Sequence, residues 1–121
     1  MAVELNHTIV SVRDKHEAAT FLTELLGLPP HTTFGPFAVV ELANGVSLDF
    51  ADDHGEVVPR HYAFLVADAE FDEIFGRIVE RPWNEFFVFV AIPARRLVVV
   101  HWVHGRHLGR RLSKARTVRR V

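Results

Sequence analysis

The sequence predicts an α+β fold in which two βαβββ-like modules form a curled mixed sheet, the second module atypical. Three observations predict it. A strand-like run leading into an amphipathic helix occurs twice, and a shift of 54 residues lays His7 on His61, Asp14 on Asp68 and Phe21 on Phe75. Internal repetition is weighed before any other topology because it decides the architecture. The first copy is followed by three short extended runs, which completes a βαβββ order. Charge then changes sign after the second helix, so the closing part of module two departs from module one.

Each element follows from its pattern. Residues 3–12 alternate and are β-branched, the signature of a strand, with Leu5, His7 and Ile9 on one face. Asp14 and Glu17 form a D-x-x-E helix start. Ala18, Phe21, Leu22, Leu25 and Leu26 then recur at helical spacing. Gly27 suits the left-handed residue that ends a helix, and Pro29-Pro30 prevents continuation. Short strands are expected near 32–34, 37–42 and 46–51. Ala43-Asn44-Gly45 joins the last two, and Asn-Gly is a strong hairpin signal. Residues 52–59 read as a polar loop. Residues 61–67 restart as a strand. Asp68 is placed to cap the second helix, with Glu70 and Asp72 suiting its positive end. Phe71, Ile74, Phe75, Ile78 and Val79 follow the apolar helical stripe, and Pro82 marks its end. Residues 85–92 and 97–103 are each expected as a strand, with 93–96 as the turn. No pattern is legible beyond His104.

Composition bounds the function. The chain has 121 residues, 49% of them hydrophobic, so it can bury a sizeable core within one domain of ordinary size. Module one spans about 3–52, module two about 60–104, and a basic tail about 105–121. There is no cysteine, which removes disulfides, thiolate nucleophiles and cysteine–metal clusters. The net charge of −1 gives no overall case for nucleic acid, yet it averages two unlike parts. Residues 1–80 hold 14 acids and 4 Lys/Arg; residues 81–121 hold one acid, Glu85, and 10 Lys/Arg. The start of the chain lacks the basic-then-apolar pattern of a signal peptide. The most apolar stretch, 86–103, is interrupted by Pro93, Arg95 and Arg96, against a membrane span. A cytoplasmic protein without membrane or nucleic-acid partner is expected.

At this point the residues resemble a family. N-H-T-I-V-S-V-R-D at 6–14, L-L-G-L-P at 25–29, A-N-G-V-S-L-D-F at 43–50 and R-H-Y-A-F-L-V-A-D at 60–68 resemble the vicinal oxygen chelate superfamily. That group includes glyoxalase I, fosfomycin-resistance transferases, extradiol dioxygenases and bleomycin-resistance proteins. The resemblance runs over residues 3–81 and implies paired modules curled around a cleft. It implies metal ligands at His7 and His61, the leading-strand positions, and places Asp49 where some members carry a Glu ligand. It also implies a small-molecule substrate and a homodimer. Chemistry agrees with such a set. Neutral imidazole ligates Zn, Fe, Ni or Mn, and two His plus a carboxylate leave positions open for substrate oxygens. Each His lies on an otherwise apolar strand face, Leu5 and Ile9 beside His7, Ala63 and Leu65 beside His61, where an imidazole is costly to bury without a partner.

The chain departs from the family where the second module should end in an acid-bearing strand. After Glu85 there is no Asp or Glu. His101, His104 and His107 are the available substitutes, and no spacing selects one of them. Three readings follow. The first is a metal-dependent enzyme of the glyoxalase or dioxygenase group, a lyase or dioxygenase if catalytic, whose ion stabilises an enediolate or similar oxyanion. The second is a non-catalytic drug-binding protein of the bleomycin-resistance type. The third is an inactive truncated or frame-altered paralogue, for which residues 82–121 would be poorly ordered and expose Trp83 and Trp102. Other features carry less. The Arg106-to-Arg120 tail attracts phosphates without selectivity and is read as solvated or as contacting the acidic module. Gly27, Gly35, Gly45 and Gly55 are turn glycines, not a phosphate loop. Ser11, Ser47 and Ser113 have no nucleophile elbow. Phe34, Phe37, Tyr62 and Phe64 are expected either in a cleft wall or in the core.

Overall fold

The computed structural model describes residues 2–55, 58, 60–80, 87–92, 97–102 and 119–120; side chains are described for 2–55, 58, 60–80 and 97–100. The chain divides into two compact units, Met1–Val57 and Val58–Val121. Among the described residues each runs strand, helix and three strands, and each has its own four-stranded sheet.

Unit 1 begins with β1 (His7–Val12) and α1 (Lys15–Leu26). Asp14 caps α1 as its sequence predicts: its carboxylate accepts from the Glu17 N–H at 3.0 Å, satisfying one of the orphan donors of the first turn. Gly27 ends the helix at φ 68°, a left-handed conformation that disfavours any residue with a Cβ. Three strands follow, β2 (Thr32–Phe34), β3 (Phe37–Glu41) and β4 (Ser47–Asp52). Gly45 at φ 82° makes the Asn-Gly turn between the last two.

The sheet order is β1-β4-β3-β2, with β1 parallel to β4 and the other pairs antiparallel. Opposite residues share a face, so register sorts the side chains. Val10, Val12, Ala38, Val40, Leu48 and Phe50 are buried on one face, and α1 contributes Ala18, Ala19, Phe21, Leu22 and Leu25 to the same core. The other face carries His7, Ile9, Ser11, Ser47, Asp49, Val39 and Phe37.

One boundary differs from expectation. The strand expected from residue 3 begins at His7, and Val3 and Leu5 are exposed. The reason is the partner. His7 pairs with Ser47, the first residue of β4; the Asn6 carbonyl still accepts from the Ser47 N–H, and before Asn6 the chain has only the Gly45 turn opposite it.

Unit 2 contains β5 (Arg60–Leu65), α2 (Asp68–Glu80), β6 (Phe87–Ile92), β7 (Leu97–Trp102) and β8 (Arg119–Arg120). Asp68 is not the cap. The Phe71 N–H donates to the Ala67 carbonyl at 2.9 Å, which makes Ala67 the capping position and Asp68 the first helical residue. There the carboxylate still favours the positive helix end. Phe71, Ile74 and Ile78 are buried at the predicted spacing.

The order here is β5-β7-β6-β8. β5 pairs antiparallel with β7, and β6 pairs parallel with β8, an element with no sequence signal. The turn expected at 93–96, Trp83, His104, His107 and most of the basic tail lie outside the described residues, as does the side chain of Trp102.

Candidate functional site

His7 is the first residue of β1 and lies on the sheet face that α1 does not cover. Its Nδ1 is 2.8 Å from the Asn6 Oδ1. A carboxamide oxygen only accepts, so His7 Nδ1 must carry the proton, and the Nε2 lone pair is left for another partner. Asn6 is itself held: its backbone carbonyl accepts from the Ser47 N–H at 3.0 Å, extending the β1–β4 ladder by one bond. Metal-ligating histidines are commonly oriented in this way, by an oxygen on the nitrogen that does not ligate.

Asp49 is half-buried and shares that face, being the ladder partner of Ile9, two places along from the partner of His7. Its Oδ1 accepts from the Ser47 hydroxyl at 2.9 Å, which orients the carboxylate. His7 and Asp49 are thus diagonal neighbours on one face of the parallel β1–β4 pair. Unit 1 therefore offers one nitrogen and one carboxylate on a single face. Ile9 is half-exposed on the same face, and Phe34, opposite Phe37, is more open still. These make an apolar margin to the polar pair.

In unit 2, His61 is the second residue of β5 and is exposed. The cost of burying an imidazole, expected for both histidines, is therefore not incurred: His7 and His61 are themselves exposed, as is Leu65 on the face of His61. Register adds what spacing could not. His61 is directly opposite His101 in the β5–β7 ladder. Of the three histidines available as substitutes for the missing acid, His101 is the one whose backbone lies among the described residues, and it pairs with His61. The sequence signal was present only as a pairing of two strands whose register was unreadable. Tyr62 and Phe64 alternate with His61 and sit on the other face, opposite the buried Val100 and Val98. They are core-side residues and not a wall beside His61; burial pushes the Tyr62 hydroxyl pKa up. Among the described residues no three His, Asp or Glu side chains come together as a metal cluster.

No family model matches the chain. It is 32% identical to the glutathione transferase FosA of Serratia marcescens over 84 residues, 64% of this chain and 60% of that one. The chain thus spans less than two thirds of that relative. Among solved structures, oxidase ChaP-H1 is 54% identical with a TM-score of 0.68, covering 80% of this chain and 75% of the other. Oxidase ChaP-H2 is 48% identical with a TM-score of 0.66, covering 81% and 74%. The chain belongs to the vicinal oxygen chelate superfamily. Within this superfamily one fold hosts different reactions, as a transferase and two oxidases among its relatives illustrate, so membership leaves the reaction to the residues of the site. No described helix is long and apolar enough to cross a membrane.

Proposed function

We propose that this chain is a metal-dependent enzyme acting on a small molecule with vicinal oxygens, with His7 and His61 as ligands to a divalent ion. One observation carries the reading: Asn6 holds the His7 proton on Nδ1 and so presents Nε2 on the face that also carries Asp49. Two imidazoles and a carboxylate suit Zn, Fe, Ni or Mn and leave positions open. Among the histidines that could stand in for the family's missing acid, His101 is paired with His61 in the β5–β7 ladder. When bound, such an ion supplies Lewis-acid polarisation of the substrate's oxygens.

The chain's own residues do the rest. Asn6 fixes the ring and tautomer of His7. Ser47 turns the Asp49 carboxylate, and Ile9 with Phe34 gives the substrate's carbon skeleton an apolar rest. The more similar relatives are oxidases, which supports oxidation over group transfer as the reaction class. The setting that goes with this reading is a cytoplasmic homodimer with no membrane or nucleic-acid partner.

Elemental analysis tests it. Protein purified without chelator should hold near-stoichiometric metal, and His7→Ala/His61→Ala protein should hold little. Asn6→Ala should bind about 10–100-fold more weakly, the usual effect of losing an orienting partner. Equally low metal in wild type and the double variant rejects the proposal.

A further inference from the structure

A second pair of histidines lies elsewhere in unit 1. His16 is in the first turn of α1, and His31 precedes β2. The His16 Nδ1 and His31 Nε2 are 3.1 Å apart, with ring centroids at 5.3 Å and planes inclined by 40°. α1 packs on the sheet face opposite to the one carrying His7 and Asp49, so this pair is separate from the candidate centre.

We propose that His16 and His31 form a second, two-imidazole site for a borderline divalent cation such as Zn²⁺, Ni²⁺ or Cu²⁺. The spacing is the first argument. Zinc–imidazole bonds are about 2.0–2.1 Å, so two nitrogens 3.1 Å apart subtend about 95–100° at a shared ion. That lies between octahedral and tetrahedral angles.

Preorganisation is the second. His16 follows a helix start fixed by the Asp14 cap and by Lys15, whose N–H donates to Asp52 at 2.8 Å and whose Nζ donates to the Pro36 carbonyl at 3.0 Å. His31 follows Pro29-Pro30, whose rings fix the approach to β2. Little backbone freedom remains to be lost on binding.

Ligand chemistry is the third. Two neutral imidazoles select against Mg²⁺ and Ca²⁺, which take oxygen ligands. His16 is exposed, so water completes the coordination.

The proton balance is simple. In the metal-free pair one ring donates N–H to the other, so one of the facing nitrogens is protonated. On binding, that ring moves its proton to its other nitrogen, and two neutral rings release no net proton. The ion would tie the start of α1 to the entry of β2.

Residue-resolved imidazole ¹⁵N spectra of the full chain, titrated with ZnCl₂, test the proposal. The His16 Nδ1 and His31 Nε2 resonances should shift together in one step, in wild type and in His7→Ala/His61→Ala protein alike. His16→Ala should abolish the His31 shift, and zinc should no longer raise the melting temperature through this site. The proposal is overturned if His31 responds unchanged in His16→Ala, or if neither ring responds while other histidines titrate. It is also overturned if the response vanishes in the His7→Ala/His61→Ala protein. His31→Gln, which keeps a polar group there, gives the same readout at His16 should His16→Ala fold poorly.

Discussion

The two units share one order of elements and differ in how the leading strand is paired. β1 lies parallel to the third strand after its helix, whereas β5 lies antiparallel to the second. The difference lies in the receiving strands. In β4 the buried Leu48 and Phe50 alternate with half-buried Ser47, Asp49 and Ala51, so only one register puts the apolar residues under α1. In β7 the consecutive Val98, Val99 and Val100 are all buried, and a run of identical residues offers the same side chain to both faces. Alternation names a face; a valine run does not. A repeated strand–helix start therefore specifies elements, while the sequence after the helix specifies their partners.

The largest test of that contrast is in the cores. Phe50 is wholly buried in β4, and Phe50→Ala should cost about 3–5 kcal/mol by urea denaturation. Ile74→Ala, in α2 of unit 2, should cost about 2–5 kcal/mol. A loss below about 1 kcal/mol at Phe50 would break the claim that alternation in β4 closes the core of unit 1.

A smaller effect separates the helix starts. Asp14→Ala removes a cap and should cost about 1 kcal/mol, whereas Asp68→Ala removes a charge one place inside the helix and should cost about 0.3–1 kcal/mol. Equal losses in the same denaturation series would mean that the two starts are equivalent after all.

The smallest effect is a pH dependence at the end of β4. The Asp52 carboxyl is held below its ordinary value, chiefly by accepting the Lys15 backbone N–H, with the Lys15 ammonium 3.6 Å away. Because the folded value is the lower one, the unfolded chain takes up the proton first as pH falls. The contribution is present above the ordinary carboxylate range and lost as pH drops through the lowered folded value. Denaturation midpoints between neutral and acid pH should fall less steeply in Asp52→Asn than in wild type.

These contrasts also show what could be read beforehand. The Asp14 cap, the Gly27 stop and the Asn-Gly hairpin were legible because each depends on a few adjacent residues. Leu5 was misplaced in the first strand because alternation continues past the point where β4 has residues to pair with it. Asp68 matched the cap by its repeat position, but the first helical bond falls one residue earlier, on Ala67. Among the candidate ligands, His7 and His61 stood out by position in the repeat and, with Asp49, by resemblance. The role of Asn6 was not visible, since a bond between adjacent side chains leaves no periodic trace. His101 required a register, and the His16–His31 approach required a helix and a loop 15 residues apart to meet.

The parallel pairing of β1 with β4 has a consequence for how errors would surface. A slip of one place along β1 would carry His7 from the open side of the sheet to the helix side and expel Val10 and Val12 from beneath α1. The same misstep that spoiled the chemistry would therefore remove the packing that keeps unit 1 folded. A misassembled copy would present itself to the cell's proteases as an unfolded chain and would not persist as a well-folded but inert impostor.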